Sequence, residues 1–317
     1  MPRRAIAIAA VVLAAAGLAG CGGGNGGVVV YTSVTQDTVD LLVSGFTGRN
    51  PDTTVDVFRA PTGEIAARIA AEVREGGLQA DVLWLTDPLS MQQYEADGLL
   101  QTWDPAGAEG IPEAFRTPAS WGTRVLNLVI VHRPGLEPAI RTWDDLVRAA
   151  GEGGVALPDP GFAGSAFAAL GYFALTDGYG MDFYRRLHDA GAVQVAAPGD
   201  VVTGVAEGQY AAGITLDFTA RTALDKGSPI TIVWPDPGAI ALHSPIATAK
   251  DAGGDGAAFV QYVLSEEGQS LVASSGWQPA RPDVPWEVGG PQVTLDWRLA
   301  FDRQEELLGE YRAIFGG

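Results

Sequence analysis

The stretch Gly122-Thr-Arg-Val-Leu-Asn-Leu-Val-Ile-Val-His-Arg133 decides how the rest of the chain is arranged. Six of its residues are apolar, and four of those six are β-branched. A short apolar run of this kind is typical of a strand that is buried on both faces. We therefore expect residues 123–133 to cross from one α/β lobe, residues 28–122, into a second lobe, residues 134–238.

The segments before this stretch alternate between strand and helix. Strands are predicted at Val28–Tyr31, Thr54–Arg59 and Asp81–Leu85, and between them Asp37–Phe46 and Glu64–Arg74 carry apolar residues at helical spacing. This order predicts a parallel sheet with helices on both of its faces. In such sheets a ligand binds beyond the carboxyl ends of the strands.

The segments after Arg133 repeat the alternation. A second crossing strand is predicted at Ala239–Ala247, and the rest of residues 239–317, including a helix over Leu299–Phe315, is expected to pack on the first lobe. The predicted fold class is α/β with two lobes, each a mostly parallel sheet flanked by helices, joined by two crossing strands. The strands expected in the second lobe are Val155–Leu157, Val193–Val195, Ala212–Leu216 and Ile230–Trp234.

Composition narrows the classes of function. The chain has 317 residues, 47% of them hydrophobic, and a net charge of −18. Binding to a phosphate backbone or to an anionic membrane surface needs basic patches, so nucleic acid is not an expected partner. The chain has one cysteine, Cys21, which excludes an intrachain disulfide and a cysteine-based metal site.

The first 27 residues have the pattern of an export signal. A basic head is followed by 14 apolar residues, Ala5–Leu18, a length that suits a signal peptide better than a membrane span. Leu18-Ala-Gly-Cys21 resembles the bacterial lipobox, in which the cysteine accepts a lipid. We expect residues 1–20 to be a signal peptide and residues 21–27 to be a lipidated cysteine with a flexible glycine tether. The alternative is a secretory signal with an incidental cysteine.

Several short motifs follow one another in the order of a known family. The chain resembles the extracytoplasmic solute-binding proteins of bacterial ABC importers, which are type 2 periplasmic binding proteins, and within them the cluster that binds ferric iron, thiamine, phosphonates and sugar phosphates. The resemblance implies hinged closure of two lobes over a small solute, and delivery to a permease and its ATPase. The motifs are Val30-Tyr-Thr-Ser33, Ala80-Asp-Val-Leu-Trp-Leu85, Gly98-Leu-Leu100, Thr142-Trp-Asp-Asp-Leu146, Gly164-Ser-Ala166, Ala258–Gln269 and Gly276–Val284.

Hydroxyl side chains stand at or just before predicted helix N-termini. Unpaired backbone N–H groups and the helix dipole favour an anion at such positions. If these N-termini converge on one cleft, they can hold a phosphate, phosphonate or carboxylate without lysine or arginine. Ordinary helix capping is the alternative for each. The residues that we expect to bind ligand here are Thr32, Ser33, Thr62, Gly63, Gly164 and Ser165.

Two carboxylates, Asp87 and Asp217, also end strands beside the expected cleft. Either could meet an ammonium group or a metal, although Asp87 could simply cap its helix. An anion site next to a carboxylate suits a zwitterion, and 2-aminoethylphosphonate is the ligand that we favour. Trp84, Trp234 and Trp277 are candidates for the cleft wall, with packing in the core as the alternative.

Ferric iron is the main alternative ligand. The resemblance implies a pair of adjacent tyrosines at the end of a second-lobe strand, but here that position is Asp217-Phe218, and Phe218 offers no oxygen. Asp217 with a displaced tyrosine, Tyr172, Tyr179 or Tyr210, could still ligate iron, or these tyrosines could serve packing.

Two other classes of function remain possible from the residues. A lipid-anchored enzyme could use the same scaffold, but no nucleophile–base pair is visible, so no catalytic residue is assigned. A scaffold lipoprotein with an empty cleft is the third class. The three histidines are too scattered to form a spaced metal motif. We expect a monomer that binds a small solute and holds no resident cofactor or metal.

Overall fold

A computed structural model describes residues 27–316, and its long central strand contains nearly all of the stretch that opens the sequence analysis. This strand runs over Trp121–His132, and each of its residues is buried. Its closest partner is a second long strand, Ala239–Thr248, which is also buried throughout. The predicted signal peptide and Cys21 lie outside the described residues.

The helices and strands alternate through both halves of the chain. The strands are β1 Val28–Thr32, β2 Val55–Arg59, β3 Val82–Trp84, β4 Trp121–His132, β5 Val155–Pro158, β6 Val193–Val195, β7 Ala212–Leu216, β8 Thr231–Val233, β9 Ala239–Thr248, β10 Gln278–Pro279 and β11 Gln292–Val293. The helices are α1 Gln36–Arg49, α2 Thr62–Glu75, α3 Pro88–Ala96, α4 Asp145–Gly153, α5 Gly164–Leu175, α6 Gly180–Asp189, α7 Pro198–Ala206, α8 Asp217–Asp225, α9 Gly254–Leu264, α10 Glu266–Ser274, α11 Trp297–Asp302 and α12 Gln304–Phe315.

One continuous sheet passes through both lobes in the order β2-β1-β3-β9-β4-β7-β5-β6. Within the lobes the pairs β1–β2, β1–β3, β5–β6 and β5–β7 are parallel, whereas β3–β9, β4–β9 and β4–β7 are antiparallel. The two crossing strands, β4 and β9, therefore join two mostly parallel sheets. The predicted fold class, two α/β lobes connected by two crossing strands, is confirmed.

In the first lobe, helices pack their apolar faces against the sheet. In α2, Ile65 and Ile69 are one turn apart and both fully buried, packed with Tyr31 and Leu83 of the sheet. Helices α1, α9 and α10 contact one another and pack with the main core. The helices hold the carboxyl ends of β1, β2 and β3 at one edge, which is the edge at which α/β sheets bind ligands.

The C-terminal region differs from the sequence expectation. The segment Leu299–Phe315 is not one helix, because the chain breaks at Arg303 between α11 and α12. Helix α11 contacts α3, whereas α12 packs mainly on α5 and α6 of the second lobe. An aromatic contact explains the difference, since the Tyr311 ring lies edge-on to Tyr184 of α6 at 5.1 Å. The predicted lobe limits otherwise stay predictions.

Within residues 27–316, no helix combines the length and the apolar character that crossing a bilayer requires.

Candidate functional site

The hydroxyls at the end of β1 are engaged within the first lobe. Thr32 is fully buried, and its Oγ1 donates to the carbonyl of Trp84 at 2.7 Å and accepts from the backbone N–H of Val34 at 3.0 Å. Ser33 is half-buried, and its Oγ lies 2.8 Å from Oγ1 of Thr86 and accepts from the Thr86 N–H. These bonds tie β1 to β3, so a ligand could reach the Ser33 hydroxyl but not that of Thr32.

The N-terminus of α2 is the most open of the predicted positions. Thr62 is half-buried at the first residue of the helix, and no side-chain hydrogen bond caps that end in the described part of the chain. Gly63 is exposed, and a Cβ placed on it would meet no atom within 4 Å. The backbone N–H groups of this turn are therefore accessible to a ligand.

Asp87 and Gly164 form one contact between the lobes. Asp87 is buried at the N-cap of α3, where its carboxylate accepts from the Ser90 N–H at 2.9 Å and from Ser90 Oγ at 3.1 Å. Gly164 opens α5 in the second lobe, and a Cβ on it would stand 2.7 Å from Oδ2 of Asp87. Burial raises the pKa of Asp87, while the hydrogen bonds from Ser90 oppose that shift. Ser165, the next residue, is also buried.

Asp217 is paired with a cation of its own helix. Its Oδ2 lies 3.1 Å from Nη2 of Arg221, one turn further along α8. Burial raises the pKa of Asp217, and the Arg221 charge opposes the rise. Nη2 of Arg221 also donates to the carbonyl oxygen of Gly276 at 2.8 Å. Asp217 thus holds the Arg221 side chain in place while Arg221 reaches Gly276 of the other lobe, so Asp217 is not a free carboxylate.

A second contact between the lobes is aromatic. The Phe218 ring stacks on the Trp277 ring with centroids 4.0 Å apart and planes inclined by 15°. Trp277 is buried, and its indole Nε1 donates to Oγ1 of Thr35, the N-cap residue of α1, at 3.2 Å. The Asp87–Gly164 contact thus joins the N-termini of α3 and α5, and the Phe218–Trp277 contact joins the N-terminus of α8 to the segment that follows α10.

Arg124 of β4 lies beneath this aromatic contact. Its guanidinium carbon stands 4.1 Å from the centroid of the Trp277 ring, and the residue is 1% exposed. Within residues 27–316, its Nε and Nη1 have no hydrogen-bond partner. Burial, together with the nearby charge of Arg59, lowers the pKa of Arg124 to about 9. It is therefore a buried cation at neutral pH that protein groups leave unsatisfied.

Arg59 adds a second cation to this place. It ends β2, it is exposed, and its Nε donates to the carbonyl oxygen of Val34 at 2.7 Å. No carboxylate forms an ion pair with Arg59 or Arg124 in the described part of the chain. Two guanidinium groups without an ion-pair partner among the described residues, close to helix N-termini, would attract an anion to this place.

Sequence reasoning did not single out Arg124 or Arg59. Arg124 stands inside the apolar run that predicts β4, and the periodicity of that run says only that the strand is buried. The useful signal was the charge itself, because a long charged side chain in a fully buried strand needs a partner. The pairing of Asp217 was also visible, since Arg221 follows it by four residues, the spacing of a helical ion pair.

Three grooves open elsewhere on the surface. The largest, about 970 Å³, runs between α2, α3 and the C-terminal helices, and a second of about 560 Å³ lies on the other side of α3. The third, about 280 Å³, is lined by Asp217, Arg221, Trp234 and Trp286 among others. Of the predicted ligand-binding residues, Asp217 alone lines any of these three grooves, and there it faces Arg221.

The tyrosines considered for iron pack against other side chains or the backbone. Among residues 27–316, no group of three or more histidine, cysteine, aspartate or glutamate side chains could hold a metal ion. Tyr172 and Tyr179 belong to an aromatic cluster around Phe173, and Tyr210 packs against Gly204 of α7.

Comparison with known sequences gives a family match over most of the chain. Residues 28–278 match the family described as bacterial extracellular solute-binding protein. An uncharacterized protein of Haemophilus influenzae is 28% identical over 285 residues, which cover 83% of this chain and 81% of that protein.

Comparison with solved structures gives the same two-lobed fold. The periplasmic binding protein AfuA from Actinobacillus pleuropneumoniae, solved with exogenous fructose-6-phosphate bound, is similar with a TM-score of 0.80 and 20% identity, over 91% of this chain and 98% of that one. Iron-bound HitA from Pseudomonas aeruginosa is similar with a TM-score of 0.77 and 17% identity, over 90% and 98% of the two chains. At these identities the likeness shows the fold alone.

Proposed function

The chain belongs to the bacterial extracellular solute-binding proteins, and from that premise we propose that it captures a small phosphorus-containing anion between its lobes. Binding of a small solute and partnership with an ABC permease and its ATPase follow from the family. The ligand is our proposal: a phosphonate or phosphate ester, with 2-aminoethylphosphonate as the favoured example.

Arg124 carries the proposal. A buried ion without a counter-charge costs several kcal/mol, and a partner that accepts its free N–H groups offsets much of that cost. Nε–H and Nη1–H point to opposite sides of a guanidinium, so the two-oxygen fork of an arginine is formed by Nε and Nη2. A phosphoryl group at that edge of Arg124 would accept the Nε–H, and a further acceptor would serve Nη1. Because the pKa of Arg124 is lowered only to about 9, the side chain stays charged at neutral pH and keeps its need for an anion.

The surrounding groups favour a tetrahedral anion at the same place. Arg59 contributes a second positive charge, and the Ser33 hydroxyl and the exposed turn at Thr62-Gly63 offer further donors. Gly164 and Ser165 begin α5 on the opposite lobe, so their backbone N–H groups supply donors from the other side. In this proposal the Thr32 hydroxyl supports β1 and β3 and does not touch the ligand.

A carboxylate beside the anion site supports a zwitterion. Asp87 is buried at the Gly164 contact, and an ammonium group on the ligand would offset the cost of its ionised form. Asp217 forms an ion pair with Arg221 and is therefore not assigned to the ligand. Ferric iron is less favoured, because Asp217 is paired, Phe218 has no oxygen, and two arginines repel a trivalent cation.

Calorimetric titration of the purified mature protein tests the ligand class. We expect 2-aminoethylphosphonate to bind, inorganic phosphate to bind more weakly because it lacks the ammonium group, and ferric citrate to give no iron-dependent heat. Turnover of any of these compounds would favour an enzyme instead. Absence of binding by every phosphonate and phosphate ester would overturn the proposal, and tight iron binding would favour ferric iron instead.

We also propose that Cys21 carries a lipid that anchors the exported protein to the cell membrane, with the glycines up to residue 27 as a tether. This rests on the lipobox-like pattern of the sequence. Mass spectrometry of the mature N-terminus tests it, and Cys21→Ser should release the protein from membranes. A mature form that begins elsewhere, with an unmodified cysteine, would contradict it.

A further inference from the structure

Helix α8 reaches across to the other lobe with two side chains on one face. Phe218 and Arg221 are three residues apart, so they lie next to each other on the helix surface. Phe218 stacks on Trp277, and Arg221 donates to the carbonyl oxygen of the preceding residue, Gly276. We call Phe218 and Arg221 the α8 clasp, because together they hold a two-residue segment of the first lobe.

The clasp is connected through Trp277 to Arg124, the residue that we propose binds the ligand. Trp277 contacts Phe218 and the guanidinium of Arg124, at 4.0 Å and 4.1 Å from its ring centroid. At these distances a stacked ring and a guanidinium cannot both occupy one face of the ring, so Phe218 and Arg124 lie on opposite faces of the indole. The order Phe218, Trp277, Arg124 is thus a column that begins in the second lobe and ends at the floor of the cleft.

We propose that Phe218 is a positioning residue for ligand binding: it fixes Trp277 against Arg124 and thereby sets the rate at which the bound anion leaves. The inference rests on the proposed role of Arg124. A solute enters before the lobes close, so contacts that join the lobes are completed after entry. Loss of such a contact speeds dissociation and leaves association nearly unchanged.

The backbone at Gly276 is built for this contact. Its φ is +90°, a conformation that side-chain-bearing residues rarely adopt, and a Cβ there would lie 3.1 Å from Cε2 of Phe218. A residue other than glycine would disturb both the turn and the stack. Gly276→Ala therefore offers a second route to a weakened clasp that leaves Phe218 itself unchanged.

Stopped-flow fluorescence with 2-aminoethylphosphonate as probe tests the clasp. Because Phe218→Ala removes both the stacking and the buried area of the ring, it should raise the dissociation rate about tenfold, equivalent to about 1.4 kcal/mol, with an association rate within about twofold of wild type. Phe218→Tyr keeps the ring and should restore slow dissociation. Leu224→Ala, an exposed position on the same helix, is the matched control and should behave as wild type.

A ligand-free measurement separates this inference from the proposed function. The clasp also forms in the fraction of ligand-free molecules whose lobes are closed. Acrylamide quenching of the Trp277 signal, obtained by difference from Trp277→Phe, should therefore increase in Phe218→Ala and in Gly276→Ala. If wild type binds no phosphorus-containing anion, the proposed function fails while the quenching still reports on the clasp. Wild-type dissociation rates and wild-type quenching in both variants, or a fall in association alone, would overturn the clasp.

Discussion

Arg124 and His243 are two buried ionisable residues on neighbouring rungs of the crossing strands. In the β4–β9 pair Arg124 is opposite Ser244, and Val125 is opposite His243. Because successive side chains of a strand point to opposite faces, Arg124 and His243 lie on opposite sides of the same ribbon. Each has a polar atom that finds no hydrogen-bond partner among residues 27–316: Nε and Nη1 in Arg124, and Nδ1 in His243.

The two residues are both buried, but at neutral pH one is uncharged and the other is charged. Burial lowers the pKa of His243 to about 4, so the ring is neutral at physiological pH, and it packs against Phe115 with centroids 5.3 Å apart. Arg124, with a pKa of about 9, keeps its charge. An imidazole can shed its proton to suit an apolar site, but a guanidinium needs an anion. An orphaned buried group therefore indicates a ligand only if it stays charged.

The largest expected effect comes from removing the charge. Arg124→Met should weaken binding of 2-aminoethylphosphonate by about 4 kcal/mol, roughly 1000-fold, because the ligand charge would be buried without its partner. The same change should raise the stability of the ligand-free protein, since an uncompensated buried ion is removed. Calorimetry and urea denaturation measure the two effects. Arg116→Met, at an exposed position, is the control; equal effects of both variants would contradict the comparison.

His243, the neutral residue of the two, should determine how the free energy of unfolding falls in acid. A base whose pKa is lowered in the folded state contributes stability above its unfolded value near 6.5, and that stability is lost as pH falls towards about 4. Wild type should lose on the order of 3 kcal/mol across this window, and His243→Gln should remove that slope. Ligand affinity should not change. Denaturation at several pH values checks this, with exposed His188→Gln as control.

A smaller effect is expected where the lobes touch at Gly164. A methyl group there would stand 2.7 Å from Oδ2 of Asp87, so Gly164→Ala should hinder closure and weaken ligand binding by about 2 kcal/mol. Stability of the ligand-free protein should change little, because open lobes have room for the methyl group. Gly199→Ala, near the start of α7 and with open space around it, is the matched control. Undiminished affinity in Gly164→Ala would show that the lobes close without this contact.

The smallest effect concerns Asp87. Burial raises its pKa above 3.8, so its contribution to stability is greatest below that value and is lost as pH rises through the folded-state pKa. Asp87→Asn should remove this loss and keep the cap on α3, whereas Asp87→Ala should cost about 1 kcal/mol at neutral pH. Thermal denaturation of the two variants distinguishes them. Equal stability of Asn and Ala variants would rule out a capping role.

The sequence carries most of the fold but only part of the site. Strand β4 was predictable because an apolar run buried on both faces has a plain signature, and α2 because Ile65 and Ile69 share one helix face. The two-residue strands β10 and β11 have no such signature. The placement of α12 on the second lobe depends on Tyr311 meeting Tyr184, a contact between distant parts of the chain that periodicity cannot show.

The predicted site residues illustrate the same limit. Helix N-termini and strand ends could be recognised from local patterns, which brought Asp87, Gly164 and Ser165 to one place. Local pattern could not tell that the Thr32 hydroxyl would be used by Trp84 and Val34, because those bonds depend on tertiary contacts between strands. The role of Arg124 could not be predicted either, because a single charge does not change the apolar pattern that identifies its strand.

The central claim is that a phosphorus-containing anion binds to the guanidinium of Arg124. Nuclear magnetic resonance of the arginine Nε–H groups tests it most directly, with the Arg124 signal assigned by its loss in Arg124→Met. On addition of 2-aminoethylphosphonate we expect that signal to shift downfield and its exchange with solvent to slow. Saturated binding, shown by calorimetry, with an unmoved Arg124 signal would contradict the account.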